Sequence, residues 1–101
     1  MSCDVLEELE GVIRERISSR DPASYTYAIY SKGVHYIARK VGEEAVELAV
    51  ASLAEGRQRV VEEAADLVYH LLVLLAAQGL SLSDVCAELR RRRAPPSRSS
   101  P

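Results

Sequence analysis

Along residues 3 to 19, Val5, Leu6, Leu9, Val12, Ile13 and Ile17 recur at spacings of three and four, the period of an amphipathic helix. Asp21-Pro22 ends it, because the residue before a proline is pushed out of the helical region. The stretch SYTYAIYS, residues 24 to 31, is rich in strand-favouring types and alternates partly with period two. A lone strand would have no partner, so a short helix is expected here. Gly33 punctuates, and a long helix is expected from Val34 to Glu55, closed by Gly56. A second should run from Arg57 to Gln78, closed by Gly79. Ser81 followed by Asp84 has the spacing of a capping box that opens a last helix to Arg92. The expected fold is all-α, a helical bundle whose two long central helices pack antiparallel across a tight turn. It occupies residues 1–93 as one domain, with 94–101, APPSRSSP, as a disordered tail.

The polar positions inside the two long helices are unusual. At about 100° per residue, Lys40, Glu43, Glu44 and Glu47 share a band about 100° wide. Val41, Ala45, Val46, Leu48, Ala49, Val50 and Leu53 take nearly every other direction. The second helix repeats the arrangement, with Arg59, Glu62, Glu63, Asp66 and His70 in one band surrounded by Leu67, Val68 and the residues from Leu71 to Leu75. Helices of this kind must be buried on most sides. Two short flanking helices cannot cover so much apolar surface, so the bundle is expected to be completed by dimerisation, as an obligate homodimer.

Length sharpens that expectation, since a chain of 101 residues buries only roughly 60 to 68% of its unfolded surface. With no Phe or Trp, its core must be aliphatic with five tyrosines added. Residues 1–89 hold eight Lys and Arg against 15 Asp and Glu, a balance of −7, while residues 90–101 add five arginines. An acidic body argues against a nucleic-acid surface. Cys3 and Cys86 are isolated, with no spacing that suits zinc or redox chemistry. The N-terminus MSCDVLEELE is acidic, unlike a signal peptide. The longest run without a formal charge, Leu67 to Ser83, is interrupted by His70, Gln78, Gly79 and Ser81, so no membrane span is expected. The expected location is the cytoplasm.

In an antiparallel hairpin the two acidic bands can face each other, Glu44 and Glu47 opposite Glu63 and Asp66. Clustered carboxylates repel, and desolvating each beside an apolar core costs several kcal/mol unless something positive sits among them. Arg39, Lys40 and Arg59 could supply it as a salt-bridged face. The alternative is a divalent cation held by oxygen ligands alone, with hard Mg²⁺ or Mn²⁺ favoured over zinc. Carboxylates at i and i+3 lie one turn apart, so each pair can grip a metal from one helix. Such an ion can acidify and orient a water and neutralise a phosphoryl group. A bare E-x-x-E is a weak signal. An E-x-x-E followed after fifteen residues by E-x-x-D, both inside apolar helices, is much stronger.

The order SYT (24 to 26), Lys32-Gly33, RKVGEEAVELAVA (39 to 51) and EEAADLVYHLLVLL (62 to 75) closely resembles the phosphoribosyl-ATP pyrophosphohydrolase family, over nearly all of residues 4–93. The paired acidic motifs alone mark a wider all-α nucleotide pyrophosphatase group that includes the MazG-like proteins. The resemblance implies Mg²⁺-dependent hydrolysis of phosphoribosyl-ATP to phosphoribosyl-AMP and pyrophosphate, the second step of histidine biosynthesis, by a homodimer. Carried over by motif, Glu44, Glu47, Glu63 and Asp66 would be metal ligands. The Arg90 to Arg93 cluster and the tail extend beyond the family's core, and no chemistry is assigned to them.

Around these ligands, Lys40 is placed to contact a phosphate or to pair with a glutamate, and Lys32 and Arg39 are further phosphate candidates. Glu43 would position water or pair with Lys40. Glu44 or Glu47 would complete the deprotonation of an attacking water, with no covalent enzyme intermediate. Tyr25, Tyr27, Tyr30 and Tyr36 are read as core and interface filler before adenine stacking. His70, one turn beyond Asp66, is read as a hydrogen-bond partner of the site instead of a base. Two other readings stand beside this one: a MazG-like nucleoside triphosphate pyrophosphatase, and a non-catalytic helical interaction module whose acids are salt-bridged at a subunit seam.

Overall fold

The computed structural model describes residues 4–93, and the expected tail at 94–101, like Cys3, lies outside them. Five helices follow one another: α1 (Asp4–Ser19), α2 (Tyr25–Ser31), α3 (Val34–Ala54), α4 (Arg57–Ala77) and α5 (Leu82–Arg93). No strand occurs among the described residues. The tyrosine-rich stretch is therefore helical, and its start is fixed by Ser24, whose hydroxyl accepts from the Tyr27 amide at 3.1 Å.

Helix ends follow local chemistry. Past Ser19 the chain turns through Arg20 in the left-handed region (φ 57°), and Asp21 then holds the turn by accepting from the Ala23 amide at 2.9 Å. Gly79 (φ 72°) ends α4 in a Schellman motif: its amide donates to Ala76 O at 3.1 Å and that of Leu80 to Leu75 O at 2.9 Å. The box at α5 is reciprocal, with the Asp84 amide on Ser81 Oγ at 3.3 Å and the Ser81 amide on Asp84 Oδ2 at 2.9 Å. Gly56 departs from expectation. It does not close α3 in a left-handed turn, because Glu55 (φ −125°) and Gly56 (φ −80°) are both extended and reverse the chain between them.

That two-residue connection folds α4 back along α3 as an antiparallel pair, the most extensive helix contact in the molecule. α1 packs on α4 and α2, and α2 bridges α1, α3 and α4. Ile13, Ile29, Ile37, Leu72 and Val73 form the centre of the core, one or two from each of the first four helices. Tyr36, Tyr69 and several partly buried aliphatics pack around it, as a chain without Phe or Trp requires. The two long helices are not buried on most sides within one chain. Val46 is 63% exposed, Val50 48% and Leu53 89%, and their spacing of four and three puts them in one stripe along α3.

Candidate metal centre

The antiparallel packing of α3 on α4 brings Glu44, Glu63 and Asp66 together, so that one oxygen from each lies within 4.8 Å of the others. Glu44 and Glu63 are buried, at 7% and 4% exposure, while Asp66 is exposed to solvent. Each buried glutamate has two unlike oxygens. Glu44 Oε2 faces Lys40 Nζ at 3.8 Å, and Glu63 Oε2 is held by the Arg59 guanidinium. Both cations stand four residues earlier on the same helix, one turn below their carboxylates. The two remaining oxygens, Glu44 Oε1 and Glu63 Oε1, are buried with no hydrogen-bond partner among the described residues.

A buried polar atom left unpaired costs about 1–3 kcal/mol, and more when it carries charge. Burial pushes the Glu63 carboxyl above its ordinary range, the adjoining Glu47 pushes it further, and Arg59 pulls against both. For Lys40, burial alone would lower the pKa, yet the surroundings of Tyr25, Glu43, Glu44 and Tyr36 raise it overall, so it stays charged. The site thus holds more negative charge than its two cations satisfy. Three convergent carboxylates, with neither thiolate nor imidazole in the group, suit a hard divalent cation, and the two bare oxygens are the positions such an ion would complete.

Other residues expected at the site are placed differently. Glu47, exposed on α3, does not supply one of the three oxygens that lie closest together, but its carboxyl adjoins that of Glu63, and it lines a cavity of about 220 Å³ with Val46, Val50, Glu55, Arg59 and Glu63. Glu43 lies between Arg39 Nε at 3.8 Å and Lys40 Nζ at 3.6 Å. Lys32 Nζ and the Arg39 guanidinium both sit over the Tyr36 ring, 4.7 and 5.3 Å from its centroid. Arg39 also joins Gly42, Glu43, Val46 and Glu47 along an open groove on α3.

His70 bonds beside Asp66 as expected, while its contact with Tyr25 and that of Thr26 with Tyr69 went unread in the sequence. His70 Nδ1 lies 2.8 Å from the Asp66 carbonyl, which only accepts, so in the neutral ring Nδ1 carries the proton and Nε2 accepts from the Tyr25 hydroxyl at 3.2 Å. Thr26 Oγ1 is bonded to the Tyr69 hydroxyl. The SYT and YH segments are thus one brace, tying α2 to the turn of α4 that carries Asp66. His70 is a partner of the Asp66 main chain, and Tyr25 stacks on Tyr69 at a centroid distance of 6.2 Å. Arg59, expected only as a neutralising charge, pairs with Glu55, Glu62 and Glu63 together. Its signal was the spacing to Glu63, the same as that of Lys40 to Glu44.

No helix among the described residues is long and apolar enough to cross a membrane. The phosphoribosyl-ATP pyrophosphohydrolase family model matches residues 6–93. The chain is 70% identical over 92 residues to a phosphoribosyl-ATP pyrophosphatase of Pyrobaculum islandicum, covering 91% of this chain and 98% of that one. It is 63% identical over 89 residues to the protein of the same name from Metallosphaera sedula, covering 88% and 96%. With that of Saccharolobus solfataricus it shares 53% over 93 residues, covering 92% and 99%. On this match, which spans all five helices and every carboxylate of the site, the chain belongs to the phosphoribosyl-ATP pyrophosphohydrolase family.

Proposed function

We propose that this chain hydrolyses phosphoribosyl-ATP to phosphoribosyl-AMP and pyrophosphate in histidine biosynthesis, with Mg²⁺ held by Glu44, Glu63 and Asp66, Mn²⁺ being able to replace it. The observation that carries the metal is the pair of buried oxygens, Glu44 Oε1 and Glu63 Oε1, unpartnered beside Asp66. Ion pairing with Lys40 and Arg59 leaves both bare, so a salt-bridged face does not account for the site. Bound there, a divalent ion supplies charge neutralisation for phosphate oxygens and an acidified water.

The protein's own groups do the rest. Glu47, at the rim outside the three-carboxylate group, takes the proton of the attacking water, and Glu43 helps to place that water. The water oxygen bonds to phosphorus as the α–β anhydride bond breaks and its electrons leave with pyrophosphate. Lys40, kept charged by its acidic surroundings, meets phosphate oxygens, while Lys32 and Arg39 over Tyr36 offer cations along the groove. Tyr25, Thr26, Tyr69 and His70 hold the turn that presents Asp66. The exposed stripe of Val46, Val50 and Leu53 is buried against a second copy in a homodimer, and the enzyme works in the cytoplasm.

Pyrophosphate release from phosphoribosyl-ATP and from ATP, with Mg²⁺ and with a chelator, tests this reading. Release from phosphoribosyl-ATP alone, lost with the chelator, is expected. Equal turnover of ATP would instead point to a general nucleoside triphosphate pyrophosphatase, and no turnover of either to an interaction module.

A further inference from the structure

Arg59 holds a position that a neutralising role does not exhaust. Its guanidinium meets three carboxylates: Glu55 in the connection between α3 and α4 at 3.4 Å, and Glu62 and the buried Glu63 on α4. Only Glu63 among them belongs to the metal centre. The arginine side chain is itself half exposed, and it shares the wall of the 220 Å³ cavity with Glu47 and Glu63. Of the three carboxylates of the metal centre, Glu63 is the one that lines this cavity.

A cation and a divalent ion on one buried carboxylate repel each other strongly, because screening by water is weak there. We propose that Arg59 and the divalent ion are alternative counter-charges for Glu63: Arg59 holds the carboxylate while the ion is away, and turns to the substrate's phosphate oxygens in the adjoining cavity once the ion is bound. The inference rests on the metal reading above. It makes Arg59 on α4 the counterpart of Lys40 on α3, so that each long helix brings one cation to the phosphates from one turn below a metal-binding glutamate. Arginine suits the task, since its planar fork matches either a carboxylate or a phosphate with two parallel hydrogen bonds. Exchange also keeps Glu63 aligned before the ion arrives and lessens the charge imbalance of the empty cluster.

The test is calorimetric and needs no turnover. Mn²⁺ alone is titrated into the wild-type protein and into Arg59→Gln and Arg59→Lys, and inorganic pyrophosphate is then titrated into each with Mn²⁺ present. Arg59→Gln is expected to bind Mn²⁺ several-fold tighter, having lost the competing charge, and pyrophosphate about tenfold more weakly, the size of one charge-assisted hydrogen bond. Arg59→Lys should recover part of the pyrophosphate affinity. Unchanged Mn²⁺ affinity in Arg59→Gln would overturn the exchange, and so would unchanged pyrophosphate affinity. A wild-type protein that binds no Mn²⁺ would remove the metal reading itself, an outcome distinct from either.

Discussion

Glu44 on α3 and Glu63 on α4 each turn one carboxylate oxygen toward a cation four residues back on its own helix and leave the other buried and unpartnered. A purely structural ion pair has no use for the second oxygen. Leaving it bare costs free energy, so a ligand that completes both oxygens at once recovers that cost on binding.

Mg²⁺ is expected to raise the melting temperature of the protein. By linkage an ion at 100 times its dissociation constant stabilises by about 2.7 kcal/mol, and Asp66→Asn should remove most of this. Without metal, Asp66→Asn should be neutral or stabilising, because it relieves repulsion in the cluster. Thermal melts of both proteins, with Mg²⁺ and with chelator, decide it. Destabilisation of the metal-free variant would make Asp66 an ion-pair partner.

Glu44→Gln and Glu47→Gln should separate by kind. Loss of a ligand exceeds the roughly 10- to 100-fold cost of disturbing a ligand's neighbours, so Glu44→Gln should lower both Mn²⁺ affinity and turnover beyond that range. Loss of Glu47, whose carboxyl adjoins that of Glu63, should lower Mn²⁺ affinity only within that range and lower kcat by about 10²- to 10⁴-fold, as loss of a general base does. Metal titration beside steady-state kinetics reads the two directly.

How far the sequence led differs along the chain. Helix periods and caps placed all five helices within about a residue, because spacings such as Ser81 to Asp84 are local chemistry. The facing of the acidic bands was legible from their shared direction on two helices joined by a short turn. Which acids would be buried was not. Glu44 and Glu47 differ by one turn, and only the rotation of α3 against α4 puts the first in the group of three and the second at the rim. The brace from Tyr25 to His70 spans 45 positions, and no local pattern pairs such residues. Gly56 misled because glycine favours a left-handed turn without requiring one.

The stripe of Val46, Val50 and Leu53 predicts the assembly. Fully burying an aliphatic side chain of this size is worth about 1.5–3 kcal/mol, so three from each copy provide a strong drive to pair. Sedimentation equilibrium should show a dimer at micromolar concentration. Leu53→Glu should weaken it and lower the melting temperature. A stable, folded wild-type monomer would contradict the dimer.

Glu88 supplies a pH dependence away from the site. Hydrogen bonds from Arg91 and Arg92 bring its pKa down to about 2 from 4.5. A carboxyl depressed in the folded state adds stability at pH above its unfolded value, and that contribution fades as pH falls toward the folded one. Glu88→Gln should therefore lower the melting temperature slightly at pH 7 and not at all near pH 2. The difference should also shrink in high salt, because the pair is exposed.

Anomalous diffraction from crystals soaked in Mn²⁺ addresses the site most directly. A peak is predicted within ligand distance of Glu44 Oε1, Glu63 Oε1 and an Asp66 oxygen, about 2.0–2.6 Å for a hard cation. A peak elsewhere on the protein, or none while the two buried oxygens are bridged by side chains, would contradict the account.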